Sequence, residues 1–160
     1  MTNTTNPDYI IYTDGSSLSN PGPCGAAYLI ISGDTVIKEK SIPLGEGTNN
    51  IAELTAAIEA LKNIIEFKPN KVLLFADSQY VVKGVTEWSK SWVKRNWKGS
   101  SGKKVLNMEL WKELLALTQQ VDVDFQWVKA HADNQYNERV DALAKEAAAA
   151  KPELSNRKES

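Results

Sequence analysis

The sequence predicts an α/β domain in which a mixed sheet is flanked by helices. Three β-rich segments come first, and helical and strand segments then alternate, which is the order expected of a mixed sheet with helices on its faces. The chain has 160 residues, of which 42% are hydrophobic and 24% are charged, as in ordinary globular domains. A single domain of this length buries roughly 70% of the surface of its unfolded chain, so it needs no disulfide or metal for stability.

The first three predicted elements are strands. Segment 9–13 is β-branched and aromatic, and it ends before the turn-rich stretch that begins at Asp14. Segments 25–32 and 35–42 are also β-rich, and Gly33 and Asp34 between them are typical of a hairpin turn. We therefore expect three sequential strands in an antiparallel meander.

The later elements alternate between helix and strand. Apolar spacing from Ile51 to Ile65 predicts a helix that Asn49 or Asn50 caps and that ends before Pro69. The apolar run 71–76 predicts a buried parallel strand, and 78–88 is helical. A helix over about 107–120, a half-buried strand over 121–127 and a last helix over about 135–150 follow.

The ends of the chain are expected to lie outside the domain. We expect residues 1–7 to be flexible, residues 8–150 to form the domain and residues 151–160 to be a disordered tail. No apolar run is long enough to cross a bilayer, and the first residues lack the features of a secretory signal, so we expect the protein to stay in the cytoplasm. We also expect it to be a monomer. Cys24 is the only cysteine and His131 the only histidine, which leaves no internal disulfide and no Cys/His zinc site.

Charge is distributed unevenly along the chain. The net charge is −1, but segment 83–104 holds seven Lys or Arg and one Glu, hence +6, and the remaining residues carry −7. Three of the five tryptophans, Trp88, Trp92 and Trp97, lie in this basic segment. Cations with interleaved aromatic residues indicate binding to a phosphate backbone. The alternative is a solvated basic helix whose tryptophans face the interior.

Four acidic residues are placed where they could converge. Asp14 and Asp77 each end a predicted strand, and adjacent parallel strands would bring both carboxylates to the same edge of the sheet. Glu53 and Asp141 lie in helical register with small and apolar residues, so each helix could bring its acid near the strand ends. The alternatives are that Asp14 only forms a turn and that Asp77 only caps the next helix.

Such a cluster of carboxylates would be strongly repulsive. At ~5 Å and an effective dielectric of ~20, each ionised pair costs about 3 kcal/mol. Summed over all pairs of four acids, the cost is on the order of 20 kcal/mol, which exceeds the stability of a typical domain. The cluster therefore needs protons or divalent cations, and carboxylate oxygens favour Mg²⁺ or Mn²⁺.

Four segments carry a family resemblance. They are YTDGSSLSNPGP from Tyr12, TNNIAEL from Thr48, ADSQYV from Ala76, and WVKAH from Trp127, the last followed by Asp141. In this order, and with the basic segment between them, they resemble the motifs of the type 1 ribonucleases H of the bacterial type, over about residues 9–150. The resemblance implies a ribonuclease H-like fold with a five-stranded mixed sheet. It also implies an endonuclease that hydrolyses the RNA strand of RNA/DNA hybrids.

The resemblance implies a role for each matched residue. The metal-binding acids would be Asp14, Glu53, Asp77 and Asp141, which would hold two Mg²⁺ ions, with Mn²⁺ as a substitute, in a reaction that leaves 5′-phosphate and 3′-hydroxyl ends. His131 would transfer protons or assist product release, and the alternative is an inert surface histidine. The residues implied to bind 2′-hydroxyls, bases and a DNA phosphate are Asn20, Thr48, Asn49, Asn50 and Gln79. Those implied to hold the DNA strand are Trp88, Trp92, Lys94, Arg95, Trp97 and Lys98.

The chain departs from the family pattern around the histidine. Ala130 precedes His131, and Asp133 follows it, where the family usually has glycine and fewer negative charges. We therefore expect a stiffer loop and an altered pKa for His131.

Other functions are compatible with parts of this pattern. A non-catalytic hybrid-binding module would share the fold but should lack one of the four acids, and none is missing. A DNA-cutting relative, such as a transposase, integrase or junction resolvase, uses similar acids but also a separate DNA-recognition domain, which we do not find. A fragment of a reverse transcriptase polyprotein is a further alternative, although the initiating Met and irregular tail favour a free-standing enzyme.

Overall fold

A computed structural model, which describes residues 6–99, 101–129 and 134–150, confirms the α/β architecture. The strands are β1 (Tyr9–Ser17), β2 (Gly22–Ser32), β3 (Thr35–Gly47), β4 (Val72–Ala76) and β5 (Val123–Trp127). The α-helices are α1 (Asn49–Ile65), α2 (Gln79–Lys83), α3 (Ser89–Lys94), α4 (Met108–Thr118) and α5 (Gln135–Ala149). The five strands form one sheet in the order β3-β2-β1-β4-β5. Residues 1–5 of the expected flexible segment 1–7 and the whole expected tail 151–160 lie outside the described residues.

The central strand β1 joins the antiparallel and parallel halves of the sheet. It pairs antiparallel with β2 and parallel with β4, and β4 pairs parallel with β5. The prediction that β1 ends before Asp14 is wrong, because Asp14 to Ser17 continue to pair with β2 after β4 has ended. β3 also runs past the predicted residue 42 to Gly47, with register shifts in its pairing to β2. The backbone hydrogen bonds of the antiparallel pairs thus override the local turn propensity.

The N-terminus of α1 is held by two side chains. Thr48 is the cap, and its Oγ1 accepts a hydrogen bond from the Ile51 N–H at 3.1 Å. The prediction of Asn49 or Asn50 as the cap is therefore wrong. Asn49 instead donates its backbone N–H to Oδ1 of Asn20 at 3.0 Å, which ties the loop before β2 to the start of the helix.

Two hydrophobic cores lie on opposite faces of the sheet. The larger core includes Ile11 of β1 and is covered by α1 and α4, whose residues Leu54 and Trp111 are fully buried. The smaller core includes Tyr12 and lies under α5, which contributes Val140 and other apolar residues. Because neighbouring residues of a strand point to opposite faces, every second residue of β1 faces α5.

The basic segment begins as a helix that is longer than predicted. Ser78 caps α2, with its Oγ accepting from the Val81 N–H at 3.2 Å, and the helix continues through a π-helical turn, Gly84–Trp88, into α3. At this wide turn, a Cβ atom on Gly84 would lie 2.0 Å from Cη2 of Trp111. The absence of a side chain at Gly84 therefore makes room for the largest side chain of the core.

The helices of the described residues were compared with the length and composition of a membrane-spanning helix. None of their helices combines the length and the apolar composition needed to cross a bilayer.

We expect Gly84→Ala to lower the free energy of unfolding by about 1–3 kcal/mol, the range for overpacking a filled core. Alanine in a helix is otherwise ~1 kcal/mol more favourable than glycine, so a net loss shows that the contact with Trp111 dominates. Urea denaturation measures the change. Gly99→Ala is the matched control, because its new Cβ would meet only the Lys103 carbonyl oxygen at 3.6 Å. A Gly84→Ala protein as stable as the parent would contradict the close packing.

Candidate active site

Asp14 and Asp77 lie side by side at the point where the parallel strands end. The last parallel pair is Thr13 with Ala76, so the next residue on each strand is an aspartate. The residues two positions earlier, Tyr12 and Phe75, both pack in the core under α5. By strand alternation, the carboxylates of Asp14 and Asp77 therefore point to the same face of the sheet.

Glu53 reaches Asp14 because α1 contacts β1 at Gly15. A Cβ atom on Gly15 would lie 2.4 Å from the backbone nitrogen of Glu53 and 2.8 Å from Cβ of Ala52, so only glycine allows this approach. The Gly15 N–H donates to Oδ1 of Asp14 at 2.9 Å and also interacts with the Glu53 carboxylate. Sequence reasoning assigned no role to Gly15, because its close approach depends on a helix distant in sequence.

Asp141 comes to the same point from α5. Its side chain and charge contribute to raising the pKa of Asp14, and its Oδ2 forms a salt bridge of 3.1 Å with Nζ of Lys145. Small residues let α5 lie close to the sheet, since a Cβ atom on Gly25 would be 2.4 Å from Cβ of Ala147. Among the described residues, the structure therefore groups Asp14, Glu53 and Asp77 closely. Asp141 is outside this group of three, but it is near enough to affect the pKa of Asp14.

Asp77 is also held by its backbone. Trp127, at the end of β5, donates its indole N–H to the Asp77 carbonyl oxygen at 3.2 Å, and its side chain is 46% exposed. The side chain that caps α2 is that of Ser78. The alternative in which Asp77 is only a helix cap is therefore wrong. This hydrogen bond could not be predicted from the sequence. The alternating pattern placed Trp127 at the end of a strand but did not indicate its partner.

Three of the acids fit a divalent cation. One carboxylate oxygen from each of Asp14, Glu53 and Asp77 lies within 4.8 Å of the other two. Oε1 of Glu53 is covered from solvent and has no hydrogen-bond partner in the described part of the chain. A buried oxygen of this kind needs a cation or a proton. The all-oxygen donor set suits Mg²⁺ or Mn²⁺.

Burial and repulsion raise the pKa of the two innermost acids. Burial, together with the charge of Asp77 and the contact with Asp141, raises the pKa of Asp14 from 3.8 to about 8. Burial is also the main cause that raises the pKa of Glu53 well above 4.5, and the charges of Asp14 and Asp77 add to it. Without a cation, the cluster therefore holds protons at neutral pH.

The residues implied to contact 2′-hydroxyls, bases and a DNA phosphate lie at the starts of two helices. Asn20 and Asn49 are exposed and hydrogen-bonded to each other, and Thr48 caps α1. Asn50 is half-buried in the first turn of α1, three residues before Glu53, and Gln79 is exposed at the start of α2. Both helix starts are thus next to an acid of the cluster in the chain.

The basic segment combines the two interpretations that its sequence allows. Its cations are exposed, and so is Trp88, at 37% of its surface. Trp92 and Trp97 are instead half-buried against the larger core, and the ring centroid of Trp92 lies 5.0 Å from that of Trp111 and 5.8 Å from that of Trp97. Trp92 and Trp97 therefore have a structural role, and the cations of the basic segment face the solvent. The exposed cations include Lys94, Arg95 and Lys98.

The histidine loop is not part of the described chain. His131, with the departures Ala130 and Asp133, lies outside the described residues. Its expected role and stiffness therefore stay predictions.

We expect the protein in EDTA to lose stability as the pH rises from about 4 to about 8. The unfolded state releases the Asp14 proton near 3.8, whereas the folded state keeps it to about 8. In this window the folded state binds more protons, so rising pH favours unfolding. Saturating Mg²⁺ should offset the loss at the high end, because cation binding to the folded state replaces the protons. Thermal unfolding across pH, in EDTA and in Mg²⁺, measures both effects.

Asp14→Asn isolates the contribution of this carboxyl group. In EDTA at pH 8, we expect its melting temperature to exceed that of the parent by roughly 3–10 °C, which corresponds to about 1–3 kcal/mol for a chain of this size. Asp34→Asn, in the exposed hairpin turn, should leave the melting temperature nearly unchanged. If the melting temperature of Asp14→Asn in EDTA depends on pH as that of the parent does, the Asp14 carboxyl group is not the cause of the pH dependence.

Sequence comparisons support the geometry. The RNase H family model matches residues 6–149. A ribonuclease H of Xanthomonas oryzae pv. oryzae is 49% identical over 143 residues, which cover 88% of this chain and 91% of that protein. A ribonuclease H of Neorickettsia sennetsu is 45% identical over 142 residues, which cover 89% of this chain and 93% of that protein.

Solved structures give the same family. LC9-RNase H1, described as a type 1 RNase H with the type 2 active-site motif, superposes with a TM-score of 0.77 at 30% identity, over 92% of this chain and 74% of that chain. LC11-RNase H1, solved in complex with an RNA/DNA hybrid, superposes with a TM-score of 0.66 at 27% identity, over 88% and 96% of the two chains. With the family model spanning residues 6–149 and relatives nearly half identical over most of their length, this chain belongs to the ribonuclease H family.

Proposed function

We propose that this chain is an endonuclease that hydrolyses the RNA strand of RNA/DNA hybrids with two Mg²⁺ ions. The observation that carries the proposal is the cluster of Asp14, Glu53 and Asp77, whose carboxylate oxygens lie within 4.8 Å of one another. A module that only binds hybrids has no use for such a cluster, because its repulsion destabilises the fold.

The four acids divide the work of holding the ions. Asp14 and Asp77 are fixed by the register of β1 and β4, and Glu53 is fixed by the contact of α1 with Gly15. Asp141 completes the set from α5. When bound, two divalent ions supply an activated water and neutralise charge at the leaving 3′ oxygen, which leaves 5′-phosphate and 3′-hydroxyl ends. Mn²⁺ would substitute, since it favours the same donors.

We assign proton transfer to His131. Histidine is the side chain whose protonation changes most readily near neutral pH, so it can give and take protons during hydrolysis. His131→Ala should therefore lower the rate by about 10²- to 10⁴-fold rather than abolish it.

The choice of the RNA strand requires groups that read the 2′-hydroxyl. Asn20, Asn49 and Asn50 have amide groups suited to this task, and the hydrogen bond between Asn20 and the Asn49 backbone fixes their loop against α1. Gln79 would act from the start of α2, and Thr48 would meet a DNA phosphate. These assignments place the RNA strand at the helix starts that flank the acids.

The DNA strand would lie along the basic segment. Its cations are exposed, and the exposed ring of Trp88 can pack against sugars or bases. The RNA/DNA hybrid bound to LC11-RNase H1 supports this substrate class. The residues assigned to this strand are Trp88, Trp92, Lys94, Arg95, Trp97 and Lys98.

We also propose that the enzyme works as a monomer in the cytoplasm. One chain holds all four acids and the whole basic segment, so no second copy is needed to complete the site.

The substrate is tested with end-labelled duplexes. In Mg²⁺ we expect cleavage of the RNA strand of RNA/DNA and little cleavage of RNA/RNA, DNA/DNA or single-stranded RNA, and EDTA should stop the reaction. Asp77→Asn should abolish turnover while hybrid binding persists, and Asp124→Asn, on exposed β5 surface, is the matched control. Comparable cutting of DNA/DNA would point to the DNA-cutting relatives instead.

The basic segment is tested through the salt dependence of binding. Changing Lys90, Lys94, Arg95 and Lys98 to Gln removes four cations, so the slope of log affinity against log salt should fall by roughly 3 if all four contact phosphate. If these contacts are equal in the ground and transition states, KM should rise while kcat at saturating hybrid changes little. Hybrid binding in Ca²⁺ across a salt series, followed by kinetics in Mg²⁺, measures both.

A charge-matched control separates local contacts from net charge. Changing Lys40, Lys62, Lys68 and Lys71 to Gln removes the same number of positive charges from outside the basic segment. This control should leave the salt slope near that of the parent. Equal slopes for the two quadruple variants would mean that the basic segment is a solvated helix with no special place for the DNA.

A further inference from the structure

The start of α5 is attached to the sheet by packing and by polar bonds. Tyr136 packs against the ring of Tyr12, Arg139 forms a two-point salt bridge with Glu39 of β3, and Asn134 reaches β1 through a side-chain hydrogen bond. The later part of α5 packs on the sheet through apolar residues such as Val140, Leu143 and Ala144. In contrast, the first turn is mostly polar, and Asn134 precedes it as the N-cap. Asp141 lies seven residues after this cap, about two helical turns away, so the position of the first turn affects the position of Asp141.

Asn134 is hydrogen-bonded at both ends of its carboxamide. Its Oδ1 accepts from the backbone N–H groups of Tyr136 and Asn137 at 3.0 and 3.1 Å, which caps the helix. Its Nδ2 lies 3.1 Å from Oη of Tyr12 and donates to it. The same side chain therefore caps α5 and ties it to β1.

Tyr12 is a rigid anchor for this bond. Its side chain is only 7% exposed, and its ring lies between Phe75, at a centroid distance of 5.0 Å, and Tyr136, at 5.4 Å. Tyr12 is two residues before Asp14, so both side chains lie on the face of β1 that α5 covers. The hydroxyl of Tyr12 and the carboxylate of Asp14 are therefore fixed to the same stretch of strand.

We propose that Tyr12 and Asn134 are positioning residues that hold Asp141 of α5 against Asp14 of β1. This inference rests on the proposed function, in which Asp141 is a metal-binding acid. Asp141 also forms a salt bridge with Lys145 on its own helix, and that bond travels with α5 wherever it moves. The hydrogen bond from Asn134 to Tyr12 instead fixes the start of α5 relative to β1, the strand that carries Asp14.

Two substitutions remove the tie while keeping the local structure. Tyr12→Phe keeps the ring and loses only the hydroxyl. Asn134→Ser keeps a good N-cap residue but is too short to reach Tyr12. Tyr136→Phe is the matched control, because it removes a tyrosine hydroxyl from the same aromatic group, and the bond to Asn134 is made by Tyr12.

The first measurement is Mg²⁺ binding to the free protein by calorimetry, without nucleic acid. We expect Tyr12→Phe and Asn134→Ser each to weaken Mg²⁺ binding by about tenfold, the lower end of the loss seen when groups that orient metal ligands are removed. The double variant should be no worse than either single variant, because both remove the same bond. Tyr136→Phe should bind as the parent does.

The second measurement is hybrid cleavage as a function of Mg²⁺. The Mg²⁺ concentration for half-maximal rate should rise with the dissociation constant in both variants, while KM for the hybrid stays within about twofold. Unchanged Mg²⁺ affinity together with a lower melting temperature would show a purely structural bond and overturn the inference, as would additive losses in the double variant. If the parent binds Mg²⁺ but does not cut hybrids, the proposed function fails while calorimetry still decides the roles of Tyr12 and Asn134.

Discussion

Repulsion between carboxylates at the end of the parallel pairing of β1 and β4 is the constraint on which the rest of the structure depends. The register places Asp14 beside Asp77, and burial together with this neighbour raises the pKa of Asp14 to about 8. Such a site persists only because the sheet and its two cores hold the strands in place. A divalent cation relieves the repulsion, so stability of the fold and occupancy of the site are coupled.

Close helix packing is the second requirement, because each outer acid must be brought to the strands by a helix. α1 approaches at Gly15, where any side chain would collide with Ala52 and Glu53, and α5 approaches at Gly25, where it would collide with Ala147. The two helices lie on opposite faces of the sheet. Glu53 and Asp141 therefore converge on Asp14 from opposite sides, and the small residues at both contacts set how close they come.

Local patterns predicted the approximate places of the strands and helices and put Asp14 and Asp77 at strand ends, as the apolar run before Asp77 shows. They did not predict that the helix after Asp77 continues to Lys94. The continuation of β1 past Asp14 was not predictable in this way, since Gly15 and its neighbours are turn formers and their partners lie on β2. The cap of α1 was also missed. Thr48, Asn49 and Asn50 are all good caps, and the bond that occupies Asn49 comes from Asn20, far away in the chain.

The helical stretch 79–94 connects the two halves of the proposed mechanism. It starts two residues after Asp77 and ends at Lys94, and at ~1.5 Å per residue it spans roughly 20 Å or more. This exceeds the Debye length of about 8–10 Å at physiological salt, so the basic residues at its far end do not neutralise the acids directly. The link between them is mechanical. Gly84 packs on the buried Trp111, and Trp92 packs on the same ring, so the helix is held to the larger core along its length. In the proposed enzyme, a DNA strand held by the far end of this helix therefore fixes the paired RNA strand relative to Asp77.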